Sequence, residues 1–431
     1  MFPARGNLQG SNLMPAMFHK AFGSGKHNKE GWIIGAYEGI RHVPDLEVAF
    51  AFPVPVEDMV KGDILRGTLD EVKYYGFYED ISHPEKYDES LESSIGLICE
   101  EYRPDVIHCF GTEFPHTKAL MRVSEWKGHA LIHMQGVMAE CEKAYTAGLP
   151  QKVIEHNTLR DVLRSDGILR QQEKYALRAD NEMEVVTAAD YFCVRTAFDE
   201  AFVKANSETA VCYSLNETLR PVFYEGRWNV DECDRHSIFI SQGNIPLKGL
   251  HIALGAMAKL IKDYPDITLT VAGDDVVRGN SLSDIIKRPS YGKYLKQLIK
   301  EGGLEGHVRF AGPLSAKDMK KEYLKANVYV LPSSVENSPN SLGEAMLLGV
   351  PCIASYAGGI PSMAEDKKEA RLVPACDVDA LASAIAGIFD DDIYAALLGE
   401  NAAARAKLTF DREANSRMLK WIYDDICKRN A

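Results

Sequence analysis

Two glutamates, Glu336 and Glu344, stand eight residues apart in the stretch LPSSVENSPNSLGEAMLLGVPCIAS (331–355). Glu336 falls in the loop after an apolar run, and Glu344 in the opening turns of the helix that should follow. Ser338 suits the N-cap of that helix and Pro339 its first residue. The free amides of the first turn, near Asn340 and Ser341, then point at the C-terminal edge of a sheet, where open parallel sheets bind ligands. Helix amides and the macrodipole favour a phosphate at that place. Carboxylates beside a phosphate are adverse unless they accept hydrogen bonds from sugar hydroxyls next to it. Taken singly, Glu344 reads as an ordinary partner of the helix dipole and Glu336 as a solvated loop acid. The string as a whole favours the site.

Strand-like and helix-like runs alternate around this stretch. Strands are predicted at 237–241, 267–273, 308–312, 328–333, 351–355 and 370–374, and helices at 248–264, 291–303, 315–326, 338–349 and 377–389. The strands are apolar on both faces, the pattern of a parallel sheet covered on both sides. This predicts a doubly wound α/β domain over 237–410. The first half repeats the style less cleanly. Strands are predicted at 46–54, 105–111, 130–136 and 191–196, with a helix at 91–102 and a long charged helical stretch at 151–189. An N-terminal domain is placed at 1–213, and residues 214–236, which break the periodicity, as the interdomain connection. Residues 411–428 form an amphipathic helix with Met418, Trp421, Ile422 and Ile426 on one face. It lies beyond the last unit of the second domain, and 411–431 is expected to cross back to the first.

A length of 431 residues suits two large domains. The formal charge of −13 argues against a sequence-independent nucleic-acid binder, yet leaves room for a local basic pocket. Apolar residues make up 46% and charged residues 26%, as in a globular protein. No apolar run approaches the roughly 20 residues of a membrane-spanning helix, and MFPARGNLQG lacks the apolar core of a signal peptide. The nine cysteines are scattered and never form CxxC, which fits free thiols in a reducing cytoplasm. No His/Cys cluster or DxD motif at a strand end is visible, so no metal site is expected.

Pro332-Ser333, the Glu336/Glu344 pair, EAM (344–346), GVP (349–351) and Gly358-Gly359 resemble the donor-site signature of retaining glycosyltransferase family four. The likeness extends upstream through Lys248-Gly249, VAG (271–273) and VRFAG (308–312), and covers about 237–364. The wording SQGNIPLKG and ENSPNSLGEAM is similar to a bacterial surface-polysaccharide branch. The resemblance implies the GT-B fold: two doubly wound Rossmann-like domains facing a cleft, with a C-terminal helix crossing back. It implies that Glu336 accepts hydrogen bonds from the donor sugar and that Glu344 holds the ribose. It gives the diphosphate to the amides of Asn340, Ser341 and Leu342, with Ser338 beside them, and to Lys248 as the nucleotide leaves. Gly273 and Arg309 fall at strand ends near the base. The co-substrate implied is a nucleotide sugar, with UDP favoured and no further cofactor. The acceptor is a glycan or lipid-linked hydroxyl compound, and peripheral association with the inner membrane face is compatible with it.

The sequence also departs from the family. Gln242 stands where an Arg is usual, six residues before Lys248; either its side-chain amide suffices to bind the donor, or Arg288 or another basic residue replaces the Arg. Ser362 stands where a Glu is common. In the first domain the family often has a His after a strand. Here Gln135 takes that position, and His133 lies two residues earlier, where it either shares the face or packs. The chain opens in loop-like residues, and KEGWIIGAYEGI (29–40) resembles the helix that follows the fold's first glycine loop. The first strand is therefore expected to be missing, with Gly31 a candidate for close approach to the donor. Glu113 and His116 follow a strand and are candidates to orient an acceptor hydroxyl. The competing readings are a nucleotide-sugar epimerase or a phosphorylase of the same fold, or a non-catalytic two-lobed sugar-binding protein.

Overall fold

The structure, a computed structural model, describes residues 31–41, 43, 46–54 and 58–431. It divides into two compact units. One is built from residues up to Met138, Ala176–Arg220 and Phe410–Ala431, and the other from Ala139–Tyr175 and Pro221–Thr409. Residues 139–175, drawn from sequence into the N-terminal domain, thus pack within the second unit. The connection assigned to 214–236 carries the helical turn Pro221–Tyr224 and already includes the start of the strand Asp234–Ile240. Trp228 is buried in the second unit and donates through Nε1 to the Ala326 carbonyl at 2.8 Å.

The second unit holds a six-stranded parallel sheet in the order β10-β9-β8-β11-β12-β13. Its strands are β8 (Asp234–Ile240), β9 (Thr268–Ala272), β10 (Val308–Gly312), β11 (Ala326–Leu331), β12 (Cys352–Ser355) and β13 (Arg371–Val373). All six residues of β11 and all four of β12 are buried, as continuous apolar strands covered on both faces must be. The chain runs outward from β8 to β10, then returns to start β11 on the other side of β8. That reversal makes β8/β11 a topological switch point, where the loops leaving the two strands diverge and open a crevice.

The first unit holds a four-stranded parallel sheet, β4-β5-β6-β7, and a three-stranded mixed sheet, β1-β3-β2. The first comprises β4 (Ile107–Phe110), β5 (Ala130–His133), β6 (Tyr191–Val194) and β7 (Val211–Ser214). The second comprises β1 (Ala49–Val54), β2 (Ile64–Leu69) and β3 (Val72–Tyr78). Asp70 and Glu71, at φ 46° and 69°, close the β2–β3 hairpin with the two left-handed residues such a short turn requires. Neither of these strands was legible from sequence, because Arg66, Gly67 and Lys73 interrupt their apolar alternation. The expectation of a missing first strand falls on residues before the first described helix, Gly31–Ile40, and lies outside the described residues.

Three helical expectations need correction or refinement. The helical stretch 151–189 divides into three helices, Gln151–Ile154, Leu159–Arg164 and Ile168–Ala188, the last two separated by a left-handed Ser165 and by Gly167. The C-terminal helix Arg412–Asn430 buries Leu419, Ile422 and Ile426 against Leu131, Tyr191, Cys193 and Tyr213 of the four-stranded sheet. Met418 and Trp421, expected on that stripe, are exposed. The third helix starts at Asn340, so Pro339 is its N-cap and Ser338 lies outside it. Among the described residues no helix is long and apolar enough to cross a membrane.

Candidate active site

The loop after β8 carries a single helical turn, Pro246–Lys248, that ends on Gly249 at φ 69°. A Cβ on Gly249 would stand 1.9 Å from the Pro332 carbonyl oxygen, so only glycine lets this turn close against the loop after β11. The Ser334 amide donates to the Leu247 carbonyl at 2.9 Å and fixes that docking. Lys248 Nζ then donates to Glu336 Oε1 at 2.6 Å, and Ser333 Oγ donates to the same oxygen at 2.8 Å. The Glu336 carbonyl accepts from the Gly359 amide at 2.9 Å. A Cβ on Gly358, at φ 53°, would lie 2.0 Å from that carbonyl oxygen. The glycines of both motifs thus serve to hold Lys248 and Glu336.

Burial of Lys248 opposes its charge, but the Glu336 carboxylate and hydrogen bond outweigh it and hold the pKa above the ordinary lysine value. The ammonium is therefore a fixed cation at neutral pH. The Glu336 side chain is 12% exposed and Glu344 is buried, so neither is the solvated acid of the plain reading. In the first turn of Asn340–Leu348, the Leu342 amide already bonds the Pro339 carbonyl at 3.0 Å. Of the three amides expected to bind phosphate, those of Asn340 and Ser341 remain the first two of the helix. Asn340 Oδ1 is buried without a hydrogen-bond partner among the described residues, an acceptor facing no donor. Tyr323 OH donates to the Ser341 carbonyl at 2.9 Å and pins this helix start to the helix Ala316–Lys325.

The other sequence candidates of this unit are placed differently. Gln242 is exposed and bonds Asn244 at 3.1 Å. Gly273, at φ 88°, has open space where a Cβ would stand, and its amide bonds the Gly312 carbonyl at 2.9 Å. Arg309 is exposed on the edge strand β10 and is held by Glu322 at 2.6 Å and Thr270 at 3.0 Å. Arg288 is buried, and its guanidinium clasps the carbonyls of Val277 and Gly279. It is a clasp on its own loop, not a replacement for the cation expected at Gln242.

In the first unit, Gln135 follows β5 and donates to Glu217 Oε1 at 3.3 Å. Its carbonyl accepts from Arg195 at 3.0 Å, and Arg195 pairs with Glu217 at 2.6 Å in a buried ion pair. His133 packs rather than sharing this loop. Its Nδ1 meets His108 Nε2 at 3.2 Å, and His108 Nδ1 meets Tyr423 OH at 2.9 Å. Burial lowers the pKa of His108 to about 3 and puts that of His133 well below the usual histidine value. His108 was missed from sequence, although IHCFG (107–111) and IHMQG (132–136) share one I-H-x-x-G pattern.

The fold thus assembles a group absent from the linear reading: His108, His133 and Cys193 offer ligand atoms within 4.8 Å of one another. The two rings lie within 5° of parallel and use the facing nitrogens on each other, as in a neutral hydrogen-bonded chain. Glu113 and His116 do not form a dyad. Glu113 accepts from Arg178 at 2.9 Å, while His116 Nδ1 meets Glu79, at the end of β3, at 2.9 Å. Gly31 opens the helix Gly31–Ile40.

Residues 227–405 match the family model described as Glycosyl transferases group 1. A D-inositol 3-phosphate glycosyltransferase of Corynebacterium kroppenstedtii is 31% identical over 183 residues, which is 42% of this chain and 39% of that protein. A phosphatidyl-myo-inositol mannosyltransferase of Mycolicibacterium smegmatis is 28% identical over 193 residues, 44% of this chain and 45% of that one. The chain thus spans less than half the length of these curated relatives, and the family-model match lies within the second unit. Among solved structures, sucrose-phosphate synthase from Thermosynechococcus elongatus superposes with a TM-score of 0.68 at 18% identity, covering 93% of this chain and 94% of its own. Anabaena HepE in complex with UDP-glucose gives 0.54 at 17% identity, covering 77% of this chain and 82% of its own. At these identities the likeness shows the fold, and the fold is GT-B.

Proposed function

We propose that the protein is a retaining glycosyltransferase that moves a sugar from a nucleotide-diphosphate donor to a hydroxyl acceptor. The observation that carries this reading is the Lys248–Glu336 pair at 2.6 Å at the β8/β11 switch point. A cation for the departing diphosphate and a carboxylate for sugar hydroxyls stand there together, next in sequence to the helix start at Asn340. Negative charge builds on the leaving nucleotide, and Lys248 with the first-turn amides supplies fixed positive charge and oriented dipoles to meet it. Such stabilisation works without a metal ion, and we assign the chemistry to a metal-independent path. Retention follows by front-face substitution, in which the leaving phosphate helps deprotonate the acceptor and no protein nucleophile is required.

A uridine nucleotide is the proposed base, in keeping with the UDP-glucose bound to Anabaena HepE. The acceptor proposed is a glycan or a lipid-linked hydroxyl compound, which places the reaction in polysaccharide or glycoconjugate synthesis on the cytoplasmic side. In the first unit, Gln135 is assigned to the reaction, with the buried Arg195–Glu217 pair orienting it. The test is nucleotide release from a panel of UDP-, GDP- and ADP-sugars, with and without lipid-linked acceptors. Anomeric configuration of the product is read by NMR. An inverted product ends the retaining assignment, and sugar interconversion without transfer favours an epimerase.

A further inference from the structure

Two short helices of the second unit carry the same sequence pattern. Thr158-Leu159-Arg160-Asp161-Val162-Leu163-Arg164 and Ser281-Leu282-Ser283-Asp284-Ile285-Ile286-Lys287 share a hydroxyl, a Leu, an Asp, two aliphatics and a final base. In each, the hydroxyl and the Asp form a complete capping box, which satisfies the backbone at the helix start. The helices Leu159–Arg164 and Leu282–Lys287 pack against each other. The buried Asp161 also accepts the Ser290 amide at 2.8 Å, tying the two segments together. The local structure is therefore well anchored, yet its aliphatic positions face outward. Leu159, Val162, Leu163, Leu282, Ile285 and Ile286 are between 51% and 80% exposed. Scattered exposed leucines need no account, but six aliphatics on two neighbouring capped helices do.

The surrounding charge identifies the partner. Segments 158–170 and 278–293 hold seven basic residues against three acidic ones, in a chain of net charge −13; Arg288 is buried, and Arg160 is paired with Asp161 and Asp166. Arg164 and Lys287 close the two helices and are exposed, as is Arg278. A second copy of the same face would set like charges against each other. An anionic lipid surface would take the aliphatics at the headgroup boundary and the bases at its phosphates. We propose that these paired helices are the face by which the protein docks on an anionic bilayer. This docking uses no step of sugar transfer and stands apart from that reading.

The test is co-sedimentation of the full chain with large vesicles of phosphatidylcholine, with and without phosphatidylglycerol. Binding is expected only with phosphatidylglycerol and should weaken with added salt. Two variants separate the contributions: Leu159→Ser with Val162→Ser and Leu163→Ser, and Arg164→Glu with Lys287→Glu. Each should lower partitioning at least about ten-fold while leaving the melting temperature in place, because the altered side chains are exposed. No binding by the unaltered protein overturns the proposal. So does binding that neither variant weakens, since another surface then carries it. Self-association that the aliphatic variant abolishes, without vesicle binding, assigns the face to a second copy instead.

Discussion

Lys248 Nζ and Glu336 Oε1 stand 2.6 Å apart, although 88 residues separate them in the chain. One belongs to the turn after β8 and the other to the loop after β11. The adjacency of those two strands at the switch point makes them partners. In this pair each charge offsets the other. A diphosphate would compete for the ammonium, and sugar hydroxyls for the carboxylate.

Glu336→Gln should therefore leave nucleotide affinity unchanged or improved, since it frees Lys248 from a competing anion. Turnover should fall about 100-fold, the scale of losing one oriented polar contact to a reacting group. Calorimetric titration with the nucleotide and a nucleotide-release assay measure the two effects. Equal turnover in the variant would remove the role assigned to Glu336.

Lys248→Met keeps the stem and deletes the charge. It leaves Glu336 half-buried with Ser333 as its remaining donor. Nucleoside diphosphate affinity should drop about ten-fold or more, the scale of a charge-assisted contact. Affinity for the uncharged nucleoside should hardly change. Titrations with both ligands check the difference.

The glycines give a paired prediction on stability. Gly358→Ala meets the Glu336 carbonyl at 2.0 Å and a positive φ, so the loop carrying the carboxylate must shift. Gly273→Ala meets open space and only the cost of φ 88°. The second change should cost about 1 kcal/mol and the first about 3 kcal/mol or more. Scanning calorimetry of the two variants gives the order, and equal losses would contradict it.

His108 predicts a pH dependence of the first unit. Burial moves its pKa down from 6.5 to about 3, so the folded state favours the neutral ring. The associated stability is fully present above about pH 6.5 and is lost as pH falls from there toward about 3. His133, lowered in the same direction by burial and by His108, adds to it. Between pH 7 and pH 5, His108 alone should account for about 1–2 kcal/mol. Urea titrations across this range measure the slope, and His108→Asn should flatten it.

Arg288→Gln separates clasp from ligand. The guanidinium holds the Val277 and Gly279 carbonyls, so its loss should lower the melting temperature by a few degrees. Nucleotide affinity should stay within about two-fold. A large loss of affinity would restore Arg288 as the missing diphosphate cation.

β11 and β12 were legible because each is a contiguous apolar run buried on both faces, whereas β9 and β10, only partly buried, were legible from the regular alternation of strand-like and helix-like runs around them. The local conformation of 331–359 was legible because Ser333, Glu336, Asn340 and Gly358 lie within one loop and one helix start, where local rules of capping and glycine conformation apply. Where a helix could begin one or two residues apart, those rules erred, placing Ser338 as the cap instead of Pro339. Relations between distant segments were beyond them. Strand order decided that Lys248 meets Glu336. Packing decided that His116 takes Glu79 and Glu113 takes Arg178, and that Arg288 and Arg309 are held by their own surroundings. It also turned Leu419 inward and Trp421 outward on a helix whose periodicity allowed either. Composition, periodicity and short motifs determine elements and local chemistry because their energies depend on neighbours in sequence. Side-chain pairing across strands depends on which backbones lie side by side, and the tertiary structure alone decides that.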